Sequence, residues 1–164
     1  MGIRMATPME KILKYGNNVI DIINNMYIEG LHYFALKCVS FVRDRSGEES
    51  WYDQSGNLRS SVGYIISKNG NIVDIGGFEP TNTLGGNGEE GMKEGERFAK
   101  NIIKLVSGEY VLSIVAGMNY ADAVEARDNK DVLAKCELWA KDEWPKHEKK
   151  LKVKISDALK SVGI

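Results

Sequence analysis

Histidine, cysteine and proline are scarce: two, two and three residues in a chain of 164. The two histidines, His32 and His147, fall in long helical patterns without an i, i+4 ligand partner, and no Cys-x-x-Cys occurs, so zinc-site spacings are missing. His147 sits among lysines, which predicts a solvated ring. His32 and Cys38 are six positions apart on one helix and so face different ways, a poor arrangement for a Cys–His pair. Cys38 and Cys136 are expected to be buried thiols, because free cysteine behaves as a small hydrophobe. A disulfide between them would need both helices to pack together in an oxidising place, and a reducing cytoplasm is expected. No apolar run approaches the ~18 residues of a membrane span. The opening "MGIRMATPMEK" lacks the apolar core of a secretory signal, and Ala6 stands where a myristoylation pattern needs Ser or Thr. The formal net charge of −1 gives no overall pull on polyanions.

What is present reads as one α+β domain over residues 1–164, a length that supports a single proper core. Ile12, Val19, Ile20, Ile23, Met26, Tyr27, Leu31, Phe34, Cys38, Phe41 and Val42 recur at threes and fours, predicting a long N-terminal helix over 8–44, started by Thr7-Pro8. Gly16 and Gly30 weaken it, so it reads as two helices or one bent one. "VGYIIS" and "NIVDIG" flank Lys68-Asn69-Gly70 and predict a β-hairpin over 62–76. Residues 77–91, "GFEPTNTLGGNGEEG", read as a mobile acidic Gly-rich loop. A helix over 92–106 follows, with Met92, Phe98, Ile102, Ile103 and Val106 on its apolar face. Next come a buried strand over 109–117 and a connector with a short helical turn. C-terminal helices over 131–162 complete the chain, kinked or divided at Pro145. The sum is a small, mostly antiparallel sheet of three or four strands packed against long N- and C-terminal helices. There is no internal repeat and no linker that would split it.

Few residues carry chemistry by pattern. Gly86-Asn87-Gly88-Glu89-Glu90-Gly91 is a literal GxGxxG before a helix. A dinucleotide site needs a strand running straight into the first glycine, whereas polar residues precede this one. Two glutamates also stand where a phosphate would sit, and no βαβ unit surrounds them. There is no GxxxxGK[ST] phosphate loop and no GxSxG elbow. No catalytic residue, metal or cofactor is therefore expected. A small enzyme binding a nucleotide at the Gly-rich loop and a generic non-viral interaction module remain as rival classes. Charge is unevenly spread: Glu79, Glu89, Glu90, Glu94 and Glu96 cluster, and seven lysines against four acids lie between Lys141 and Lys160. These are read as solvated faces. A sharper reading has the two stretches meet opposite charges on neighbouring subunits, or the acidic loop line a channel where DNA slides without sticking. A lysine helix on nucleic acid lacks interleaved aromatics beyond Trp139 and Trp144.

The densest stretch is "WYDQSGNLRSSVGYIISKNG", residues 51–70. Ser55 or Asn57 can cap a helical turn, Gly56 permits a tight bend, Leu58 and Val62 should enter the core, and Ser60 completes the polar run. Arg59 has a planar fork suited to a carboxylate. "DQSGNLRSSVGYII" resembles the D-x-[ST]-G-x-L-R-x-S-I signature of the lambdoid-type tailed-phage head–tail joining (tail-completion, or neck) family. In that family a YA-x-Y-V-E-x-G element follows the last core strand. Here "AGMNYADAVEARDNKDVL" fills that slot: Tyr120, Ala121, Val124 and Glu125 match, Ala123 replaces the second Tyr, and the Gly after Glu and the run beyond it are replaced by "RDNKDVL". The resemblance implies a structural virion protein at the neck or tail junction, assembled in the host cytoplasm. Its partners would be copies of itself in a homo-oligomeric ring and other neck, portal-adaptor or tail proteins, with DNA passing through without specific binding and with no membrane. Arg59 is expected to join the two motifs by pairing with Glu125, within a subunit or between subunits.

Overall fold

Apolar residues at threes and fours build one uninterrupted helix, α1 (Met9–Arg43), whose 35 residues span about 52 Å. The computed structural model describes residues 9–45, 51–126 and 131–161. The Thr7-Pro8 start lies outside them. Neither Gly16 nor Gly30 divides α1. Gly30 instead lets the C-terminal helix approach, since a Cβ there would strike the Leu151 side chain.

The hairpin forms as its turn chemistry dictates. Strand β1 (Val62–Lys68) returns as β2 (Asn71–Gly76) through Asn69 and Gly70, both at positive φ (50° and 80°), the conformation of a type I′ turn. Strand β3 (Tyr110–Ala116) pairs antiparallel with the other edge of β1, giving a three-stranded sheet of order β2-β1-β3. The fold is therefore α+β, with long helices at both ends of the chain.

Central strand β1 is buried on both faces, and its alternation divides the core. Val62, Tyr64 and Ile66 face α1 and the C-terminal helix α5 (Ala134–Ser161). Ile65 faces α3 (Glu89–Ile102), joined by Ala99, Ile103 and Val115. β3, expected to be buried throughout, is an edge strand, buried only at Val115 and Ala116.

Two further expectations change. Helix α3 starts at Glu89 rather than 92, and its buried stripe is Gly91, Gly95 and Ala99, continued by Ile103 in a 3-10 turn; Phe98 and Val106 are exposed. The reason is distance: the α3 backbone lies so close to residues 57–61 that a Cβ on Gly91 would strike the Asn57 backbone and one on Gly95 the Ser61 backbone. Larger apolar side chains are displaced to the flanks. Helix α5 begins at Ala134 rather than 131 and runs through Pro145 without dividing. The Gly-rich loop touches the signature turn: Thr81 N–H donates to Ser60 Oγ at 2.7 Å, Thr83 Oγ1 donates to the Gln54 carbonyl at 2.6 Å, and Thr83 bridges to Gly86.

Candidate functional site

The C-terminus of α1 carries carbonyls with no intrahelical donor and the negative end of the helix dipole. Three arginines meet there. Arg59, on the single turn α2 (Asn57–Ser60), donates from Nη1 to the carbonyls of Arg43 and Arg45, the latter at 3.2 Å. Its guanidinium lies 4.9 Å above the Trp51 ring, and Nε is 4.0 Å from Asp53. Burial draws the Arg59 pKa below its ordinary value; the Asp53 carboxylate resists, and the charges of Arg43 and Arg45 add to the fall. Arg43 donates to the carbonyls of Gly77 and Glu79 at 2.6 and 2.9 Å and to Thr81 Oγ1 at 3.2 Å. Arg45 forms a buried ion pair with Asp131 and also donates to the Val132 carbonyl at 2.9 Å. One helix end thus holds the signature turn, the start of the Gly-rich loop and the entry to α5.

The signature residues serve this joint. Gly56 is left-handed at φ 78°, and a Cβ there would strike the Thr81 carbonyl oxygen. Ser55 Oγ accepts the Asn57 N–H at 3.3 Å, and the Asp53 carboxylate accepts the Arg59 N–H at 2.9 Å, so the turn is capped from outside. Leu58 and Val62 are buried as expected. Asn57 bridges to α3: its Nδ2 donates to Glu90 at 3.0 Å and its Oδ1 accepts the Gly91 N–H at 3.3 Å. Ser60 donates to the Gly56 carbonyl at 2.6 Å while accepting from Thr81.

The second motif lies on α4 (Ala121–Ala126) and the turn before it. Burial, then the Asp53 charge, raise the Tyr120 pKa, and the neighbouring Ser55 side chain pulls the other way. Ala121 is buried, and Val124 packs against the same core. Within the chain Arg59 and Glu125 do not form the expected pair. Glu125 Oε1 accepts the N–H groups of Leu133 and Ala134 at 3.3 and 2.7 Å, a carboxylate drawn to the positive start of α5. Asp131 accepts the Lys135 N–H at 3.0 Å beside it. The two motifs do come near each other, with Tyr120 in reach of the Asp53 charge.

The GxGxxG glycines face protein rather than a ligand. A Cβ on Gly86 would come within 2.6 Å of the Ser55 carbonyl oxygen, and Cβ atoms on Gly88 and Gly91 would strike Ser60 and Asn57. Among the described residues no group of three or more His, Cys, Asp or Glu could hold a metal. His147, expected to be solvated, donates from Nε2 to the Gly30 carbonyl at 2.9 Å and packs among Tyr33, Phe34 and Trp144. His32 Nδ1 lies 2.6 Å from Asp74, whose carboxylate also accepts the Tyr64 hydroxyl at 3.1 Å; burial and that carboxylate push the Tyr64 pKa upward. Two of the five acids in the cluster are paired on α3 itself, Glu94 with Arg97 and Glu96 with Lys100 at 2.5 Å.

Sequence reasoning missed Arg43, Arg45, Asp53 and Asp131. A signal was available: "RDR" closes a long helix, where cations find unsatisfied carbonyls. No family model matches the chain, and no curated protein or solved structure matches it. Among the described residues no helix is long and apolar enough to cross a membrane.

Proposed function

We propose that this chain is a structural virion protein of a tailed phage, acting by ring assembly in the neck or at the head-proximal end of the tail. The observation that carries the reading is the joint: the two stretches that resemble the head–tail joining family come near each other, with Tyr120 in reach of the Asp53 charge, and their polar groups are spent on holding backbone. In an assembly protein such residues fix the orientation of surfaces. The surfaces themselves are of the kind a closed ring needs. A groove of about 520 Å³ between α1 and α5 is lined by Lys37, Lys146, Lys150 and Lys154 against two acids, Glu29 and Glu143. An indentation on the α3 side, across the sheet, carries Glu90, Glu94 and Asp122, with Arg97 paired to Glu94, which leaves Glu90 and Asp122 for a partner. Opposite charges on opposite sides favour a head-to-tail, heterologous contact, which closes into a ring when the rotation permits. In this reading the subunits assemble in the host cytoplasm, the neighbours are other neck, portal-adaptor or tail proteins, and DNA passes through the ring without specific binding. No catalytic step is involved.

The test is mass spectrometry of purified particles from the genome that encodes the chain, with light scattering of the isolated protein across salt concentrations. The chain is expected in particles at several copies each, with self-association that weakens as salt rises. Absence from particles overturns the reading, and a melting shift with NAD or ATP would favour the nucleotide-binding rival.

A further inference from the structure

Cys38 on α1 and Cys136 on α5 are both buried, but not in closed packing. They line a cavity of about 760 Å³ between α1, α5 and β3, walled by Leu31, Phe34, Leu112 and Trp144. Its rim includes Glu137 and Lys141, an exposed ion pair, so the cavity opens to solvent. The Cys136 thiol lies 3.6 Å from the Cys38 carbonyl oxygen, so the two cysteines are neighbours across the helix pair. Of the two conditions for cross-linking set out above, the packing of the two helices is met in the folded chain, and the oxidant must come from outside it.

We propose that Cys38 and Cys136 are a modification site that a low-molecular-weight disulfide, entering through this cavity, oxidises to an intramolecular disulfide locking α1 to α5. The Cys136 thiolate attacks one sulfur of the reagent, whose S–S bond breaks and releases one thiolate. Cys38 then attacks the Cys136 sulfur of the mixed disulfide, forming the protein S–S bond and expelling the second thiolate. The two cysteine protons pass to the two released thiolates. The protein loses two electrons and two hydrogens, and one reagent disulfide becomes two thiols. Cys136 is the first attacker because hydrogen bonding from Cys38, aided by the Arg45 charge, holds its pKa below the ordinary thiol value, while that same contact and burial raise Cys38. The bond would join positions 98 apart in the chain and so constrain the unfolded state strongly. This inference does not rest on the neck-protein reading.

The experiment incubates the folded full-length chain with 2-hydroxyethyl disulfide at mildly alkaline pH and reads intact mass without reductant. Expected are a monomer lighter by two hydrogens, loss of both titratable thiols, a linked peptide pair containing Cys38 and Cys136, and a melting temperature higher by about 10 °C. A Cys38→Ser variant should stop at the mixed disulfide on Cys136. The urea-unfolded chain, treated in parallel, shows that the reagent is active. Two free thiols remaining in the folded chain once the unfolded chain has reacted would overturn the proposal. So would stable adducts without a cross-link, or intermolecular dimers as the main product.

Discussion

The two ends of α1 share one helix and one apolar periodicity, yet they live in different surroundings. From Leu31 to Val42 the helix contributes six buried residues and ends in the arginine joint. From Met9 to Gly30 it contributes none, and Leu13 and Ile20 are 60% and 56% exposed. Periodicity tells which stripe of a helix is apolar. It does not tell what covers that stripe. At the C-terminal end the sheet and α5 cover it; beyond Gly30 the cover thins to the Leu151 side chain of α5 at Gly30 and to Tyr110 of β3, which packs on Tyr27 and donates to Asn24. Substitutions at the joint should therefore be costly, and substitutions on the outer arm nearly silent in the isolated chain.

The largest effect is expected at Asp131. Removing one partner of a buried ion pair strands the other charge, so Asp131→Ala should cost about 3–5 kcal/mol in urea denaturation. A loss below about 1 kcal/mol, the range of surface pairs, would mean that the joint is solvated and the contrast between the ends is false. Arg59→Ala comes next. It leaves the carbonyls of Arg43 and Arg45 without their donor, for a loss of about 2–3 kcal/mol. Arg59→Lys should recover only part, because an ammonium lacks the planar fork and its stacking on Trp51. Amide exchange in the variant should quicken near residues 40–45 and not near 12–20; uniform quickening would contradict a local joint.

Gly91→Ala probes the close seam between α3 and the signature turn. A methyl group against the Asn57 backbone should cost about 3 kcal/mol, offset by about 1 kcal/mol of helix propensity, leaving a net loss of about 2 kcal/mol. A neutral or stabilising result would show that the seam opens freely. Glu125→Ala should cost only about 1 kcal/mol, the usual worth of a helix cap, and Glu125→Gln should retain part of it through its amide oxygen. Equal losses from Glu125→Ala and Arg59→Ala, with no additivity in the double variant, would instead reinstate a direct pairing between them.

How far these features were legible in the sequence follows from the range of the forces involved. The hairpin was readable because Asn69-Gly70 fixes its own turn locally. The α+β class and both long helices were readable from periodicity. The role of Arg59 was half readable: its need for acceptors is intrinsic, but which acceptors depends on where the end of α1 arrives, a contact across 14 to 16 positions. Glu125 points the same way: the helix start was expected at 131, within three residues of its place, but which carboxylate reaches it is a contact across 8 to 9 positions. The α3 face was misread because hydrophobicity ranks Phe98 above Gly95, whereas a backbone-to-backbone approach selects for the absence of a side chain. The GxGxxG shows the same limit: glycine spacing reports that something comes close, not whether it is phosphate or carbonyl.

The smallest effect on stability is expected on the arm, and it sharpens the comparison most. Leu13 is exposed, so Leu13→Glu should change the unfolding free energy of the isolated chain by less than about 0.5 kcal/mol, as surface substitutions usually do. Its effect on association should be large if the uncovered stripe is where copies meet, because a carboxylate placed in an apolar contact must be desolvated without a partner. Sedimentation of the wild-type chain and of Leu13→Glu at matched concentration separates the two quantities. Unchanged melting with lost self-association would assign the outer half of α1 to assembly and its inner half to the fold. If Leu13→Glu instead destabilises the monomer as much as Glu125→Ala, the stripe is already covered within the single chain, and the two ends of α1 differ less than their exposures imply.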